Sequence, residues 1–159
     1  MKVLLTTVLS VMLSLGIYGQ STTEKTPQLF TKNGFFVDIN GKLFSGVVPE
    51  FAIDGEKIAS HSYINGLRHG ESIAYHDNGL LKELGNHQYD KKHGVWSQWN
   101  EKGILISKLS YLEGEKHGIG VLYHTNGKVN VKMNYVKGKK VGSWLWWDEN
   151  GKPLKKVTY

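Results

Sequence analysis

Residues 63–79 read YINGLRHGESIAYHDNG, and residues 111–127 read YLEGEKHGIGVLYHTNG. Both stretches run from a tyrosine through a glycine turn to a basic residue and His-Gly, then through alternating apolar positions to Tyr-His and Asn-Gly. Working outward, Gly46, Gly70, Gly94, Gly118 and Gly142 lie 24 residues apart at every step. A second row, Gly55, Gly79, Gly103, Gly127 and Gly151, keeps the same spacing, and so do the aromatics Phe51, Tyr75, Trp99, Tyr123 and Trp147. A further row reads Tyr63, His87, Tyr111, Tyr135 and Tyr159, with one histidine among tyrosines. Rows in register mean tandem copies of one small unit. Repeat arrays build extended surfaces, which points to display and binding.

Within each unit the period is two. In the fourth unit Ile119, Val121 and Tyr123 alternate with Gly120, Leu122 and His124, and Val129, Val131, Met133 and Tyr135 alternate with Lys128, Asn130, Lys132 and Asn134. Such alternation marks half-buried strands. Asp54-Gly55, Asn78-Gly79, Lys102-Gly103, Asn126-Gly127 and Asn150-Gly151 stand between the strands as hairpin turns. The fold class expected is all-β: tandem 24-residue hairpins side by side in an elongated, curved, single-layer antiparallel sheet. Because 24 is even, the row from Phe51 to Trp147 and the row from Tyr63 to Tyr159 are expected on one face, as the core. Trp99→Ala should then cost far more stability than Gln98→Ala on the other face.

The chain opens with Lys2, an apolar stretch from Val3 to about Tyr18, and the small residue Gly19. That is the grammar of a secretory signal peptide, expected to span 1–19. Residues 20–33 read as a flexible polar leader, residues 34–45 as an opening hairpin around Asn40-Gly41, and residues 34–159 as the repeat domain with five units from about 46. The chain has no cysteine, so packing and strand pairing must hold it without disulfides. The expected location is secreted or periplasmic. Lysine and arginine number 20 against 14 acids; loss of Lys2 with the signal leaves 19 against 14, or +5. Much of that excess sits at the end of the chain, in Lys137, Lys139, Lys140, Lys152, Lys155 and Lys156.

The two quoted stretches resemble the MORN repeat, more closely its bacterial variant form, over residues 34–159. What the resemblance implies is a β-hairpin repeat sheet that serves as a protein-interaction scaffold, with contact to membrane lipids proposed for some members. Many bacterial variants are labelled antitoxins of toxin–antitoxin pairs, which would imply an antitoxin-like partner binder.

Three sets of residues are candidates for chemistry. His69, His93 and His117 form a row, but equivalent residues two strands apart are separated by about 9.4–9.8 Å, too far to share one metal ion. No metal or cofactor is expected. Arg68, Lys92, Lys116 and Lys140 form a basic row along one long edge of the sheet. These are either solvated loop cations or a site for an anionic lipid surface or acidic glycan. Trp96, Trp144 and Trp146 fall on the face opposite the expected core, either as a binding patch or tucked under the sheet's end or the leader. No nucleophile motif, phosphate loop or recurring carboxylate pair is present, so the chain is expected to be no enzyme. Its partner is expected to be a protein, with no nucleic acid.

Overall fold

A computed structural model describes residues 28–159. The signal peptide expected at 1–19 and the leader up to residue 27 lie outside the described residues. Two short strands, β1 (Phe30–Lys32) and β2 (Phe35–Val37), pair around a turn at Asn33-Gly34. The leader expected to run to residue 33 therefore ends in a strand. Val37 then bridges Leu43 across the turn at Asp38–Gly41. This opening segment docks on the first unit through hydrogen bonds from Phe36 N–H to the Gly66 carbonyl and from Gly66 N–H to the Phe44 carbonyl.

The repeats follow as β3 (Gly46–Phe51), β4 (Lys57–Ile64), β5 (Leu67–Tyr75), β6 (Leu81–Gln88), β7 (Lys91–Trp99) and β8 (Leu105–Leu112). They continue through β9 (Glu115–Tyr123), β10 (Val129–Val136), β11 (Lys139–Lys140), β12 (Ser143–Trp147) and β13 (Pro153–Thr158). All join one open antiparallel sheet in chain order, with the two-residue β11 pairing β10 beside β12. No helix occurs among the described residues. The tandem-hairpin, all-β architecture is as the spacing predicts.

Two turns alternate along the array. At Asn78-Gly79 the Gly79 N–H bonds the His76 carbonyl and the His76 N–H bonds the Leu80 carbonyl, a three-residue loop with only the glycine at positive φ. The two-residue turns, with both residues at positive φ, lie at the opposite ends of the strands. They are Asn65-Gly66, Tyr89-Asp90, Glu113-Gly114 and Lys137-Gly138. Asn-Gly, Glu-Gly and Lys-Gly supply glycine for one of these conformations. Tyr89-Asp90 has none, and the Asp90 carboxylate compensates by accepting the Arg68 backbone N–H at 2.7 Å.

One irregularity decides which side chains are buried. Gln98 opposes Ser107, but Trp99 opposes Leu105, leaving Ile106 without a counterpart. The same register step recurs in every hairpin, at Glu50/Phe51, Ala74/Tyr75, Val129/Val131 and Trp146/Trp147. Such bulges add one residue to one strand of a pair. Next to the turn, odd residues oppose odd; past the bulge, even residues of the first strand oppose odd residues of the second. Tyr63, His87, Tyr111, Tyr135 and Tyr159 therefore share a face with Ser72, Trp96, Gly120 and Trp144, and not with the row from Phe51 to Trp147. The expected placement of both aromatic rows on one core face is overturned. Phe51 is 52% exposed, while Tyr75, Trp99, Tyr123 and Trp147 are only half-buried.

Candidate functional site

The two faces of this sheet have different chemistry. On the packed face Trp96 is 4% exposed and Trp144 is 6%. The Trp96 indole lies over Gly85, where a Cβ would come within 2.2 Å of the ring, so the missing side chain makes room for the tryptophan. Trp96 Nε1 donates to the Asn86 carbonyl at 3.0 Å, and Trp144 Nε1 donates to the Asn134 carbonyl at 3.2 Å. Val131, Met133, Tyr135 and Trp144 form the core cluster, with Leu109, Leu122 and Trp146 packed against it. The open binding patch considered for Trp96, Trp144 and Trp146 does not form: Trp96 and Trp144 are buried in the sheet's own packing, and Trp146 leans on Trp144.

The basic row shares that face. Lys92 Nζ stands 3.6 Å from the Trp96 ring centre, and Lys116 Nζ lies 5.3 Å from Tyr135. Lys140 Nζ lies 4.7 Å from Trp144 and 5.0 Å from Tyr159. Arg68 Nε donates to Tyr63 Oη at 3.4 Å, and Lys92 also pairs with Glu83 at 3.2 Å. Cations over rings are attracted by the ring quadrupole. These four cations sit in strands near one long edge, but they rest on the aromatic rail rather than standing in solvated loops. His69 of the histidine row packs against Tyr89 with ring centres 4.7 Å apart.

His87, the odd member of the tyrosine row, is buried beside Trp96 and shares a 2.8 Å hydrogen bond with Ser72 Oγ. Burial first, then the charge of Arg68, pushes its imidazole down from 6.5 to about 4. Burial also lowers His61. The unfolded chain binds a proton below pH 6.5 that the folded His87 takes up only near 4. The contribution of His87 to stability is thus level above pH 6.5 and turns unfavourable as pH drops toward 4, by up to about 3 kcal/mol at 1.36 kcal/mol per unit. Thermal melts across that range should show the loss, and His87→Gln, which still offers Ser72 a partner, should remove most of it. An unchanged acid slope in the variant would assign the effect to other groups.

The open face carries the aromatic strip. Tyr75 opposes Leu81, Trp99 opposes Leu105, Tyr123 opposes Val129 and Trp147 opposes Pro153, so each of the last four hairpins contributes an aromatic–apolar pair beside its three-residue turn, while Phe51 of the first opposes Lys57. Val47, Val95 and Ile119 stand exposed at the far side of the same face. An open hollow of about 870 Å³ lies beside Trp99, walled by His76, Lys82, Ile104 and Ile106. Alternate units are stapled at the turns: His76 Nε2–H donates to the Trp99 carbonyl and Asn78 to that of Glu101, and His124 and Asn126 repeat this toward Trp147 and Glu149. This pairing of units was legible in the sequence, since Trp96/Trp144 and His76/His124 recur two units apart.

The MORN repeat variant matches residues 92–113, 116–137 and 140–159, three consecutive copies that begin at Lys92, Lys116 and Lys140. No curated protein matches the chain.

Proposed function

The chain is a MORN-repeat protein, and from that premise we propose that it is an exported, non-enzymatic scaffold holding a protein partner against the open face of its sheet. MORN repeats are generally interaction scaffolds for proteins or membranes, and the family is non-catalytic. The observation that carries the finer reading is the aromatic strip. It follows the repeat across five units, with Val95 and Ile119 exposed on the same face, and no second layer covers that face among the described residues. Exposed apolar surface of this kind marks interaction sites. The basic row reads instead as part of the packing, because its cations are engaged by the rings beneath them. Export rests on the signal-like start alone.

The test uses the exported chain, whose N-terminus is expected near Gln20. Val95→Glu with Ile119→Glu changes two exposed positions and should alter stability by no more than about 0.5 kcal/mol each. The partner captured by the wild type should be lost from this variant and kept in moderate salt. Salt-sensitive sedimentation of the wild type with acidic vesicles, or capture unaffected by the double change, would overturn the proposal. An intact residue 1–19 segment in the recovered protein would overturn the soluble exported reading in favour of a membrane-anchored one.

A further inference from the structure

We infer that the partner of the open face is an acidic amphipathic helix lying across the strands of the last three units. The inference rests on the protein-scaffold reading and specifies its ligand. Ser97 opposes Lys108, Lys108 opposes Val121, and Val121 opposes Lys132. Lys132 opposes Leu145, and Leu145 opposes Lys156. Directly opposed residues share a face, so these six form a row across the strands, and from Lys108 to Lys156 it alternates cation and apolar side chain.

Lys108, Lys132 and Lys156 are exposed, and among the described residues none pairs with a carboxylate. Two residues beyond Ser97, Val121 and Leu145 on the neighbouring strands β7, β9 and β12 stand Trp99, Tyr123 and Trp147. The first two units put Ser60 and Leu84 at the equivalent positions, so the charged stretch belongs to the last three. None of these lysines touches the aromatic rail of the packed face.

The spacing selects the occupant. Lysines two strands apart are separated by about 9.4–9.8 Å, with the apolar residue halfway. An extended peptide laid along the row repeats its same-face side chains every ~6.6 Å, so its carboxylates run out of step. A helix rises 1.5 Å per residue, placing i and i+7 about 10.5 Å apart, with i+3 and i+4 between them. Glutamates at i, i+7 and i+14 therefore meet the three lysines, and leucines at the intervening positions meet Val121 and Leu145. The accumulated drift over two heptads is roughly 2 Å, within the reach of flexible lysine stems. The helix's remaining apolar flank covers the strip from Trp99 to Trp147.

The probe is a labelled synthetic helix of three heptads with glutamate at i, i+7 and i+14 and leucine between. It is compared with an isomer of the same composition that carries its glutamates on the opposite face. Against the mature chain, the in-phase peptide should bind at least tenfold more tightly by fluorescence anisotropy and gain helical circular dichroism on binding. Lys108→Gln, Lys132→Gln and Lys156→Gln together should weaken it roughly tenfold or more, as expected for three exposed ion pairs. Lys137→Gln, Lys139→Gln and Lys152→Gln, which remove the same charge elsewhere, should leave it unchanged. Equal binding of the two isomers, equal effects of the two triple variants, or no binding of either peptide would overturn the inference. Loss of the natural partner on Val95→Glu/Ile119→Glu would still stand in those cases, so the two readings fail separately.

Discussion

Trp96→Ala is expected to destabilise the sheet by about 3–5 kcal/mol, the range for truncating a large buried aromatic. The indole is almost wholly buried, its Nε1–H satisfies the Asn86 carbonyl, the Lys92 ammonium stands over its ring, and the His87 ring packs nearly perpendicular to it. Truncation removes the apolar contact, leaves the Asn86 carbonyl without that donor and frees a cation that had been resting on the ring. Trp99→Ala, three residues away on the open face, should cost only about 1–2 kcal/mol because its side chain is already half in water. Gln98 lies on the packed face, where it donates to Glu83 at 3.0 Å and accepts from the Ser107 hydroxyl at 3.0 Å. Its replacement by alanine should therefore exceed an ordinary surface change. Chemical denaturation of the three variants decides the faces: Trp99→Ala costing as much as Trp96→Ala would restore the row from Phe51 to Trp147 as the core.

The hairpins were legible because glycine at a turn and alternation along a strand are local properties that the 24-residue spacing repeats. The burial of the second strands was legible too, since Val131, Met133 and Tyr135 alternate with Lys132 and Asn134. The face of the first strands was not. A single unpaired residue per hairpin, Ile106 in the third unit, reverses the parity between strands, and neither its side chain nor its neighbours announce it. One clue did exist. Odd parity places Glu71 of β5 in the core beside the tyrosine row, where an unpaired carboxylate would be costly; the structure puts it in solvent. The same error hid the candidate site, because a strip assigned to the core is not sought on the surface. It also hid Lys108, Lys132 and Lys156, which become a row only when the cross-strand partners are known.

Gly85→Val is expected to cost about as much as losing Trp96 itself, and the reason is space rather than backbone conformation. Gly85 is not among the glycines at positive φ, so a valine backbone fits the strand, and valine ordinarily favours strands over glycine. The obstacle is the indole: a Cβ at Gly85 would stand 2.2 Å from Trp96 Cδ2 and 2.4 Å from Cε2, within the ring's own volume. Because Trp96 is a large rigid plane held by its bond to Asn86, it cannot yield by a few tenths of an ångström and must leave the face. The expected loss is about 3–5 kcal/mol, the burial energy of the displaced ring. The double variant Gly85→Val/Trp96→Ala separates this account from a general intolerance of side chains at 85. With the indole gone, valine fills part of the vacated space, so the double variant should be no less stable than Trp96→Ala alone, a coupling of several kcal/mol between neighbours. Strictly additive losses in the double variant would show that Gly85 is required by its backbone, and that the fit between Gly85 and Trp96 does not organise the packed face.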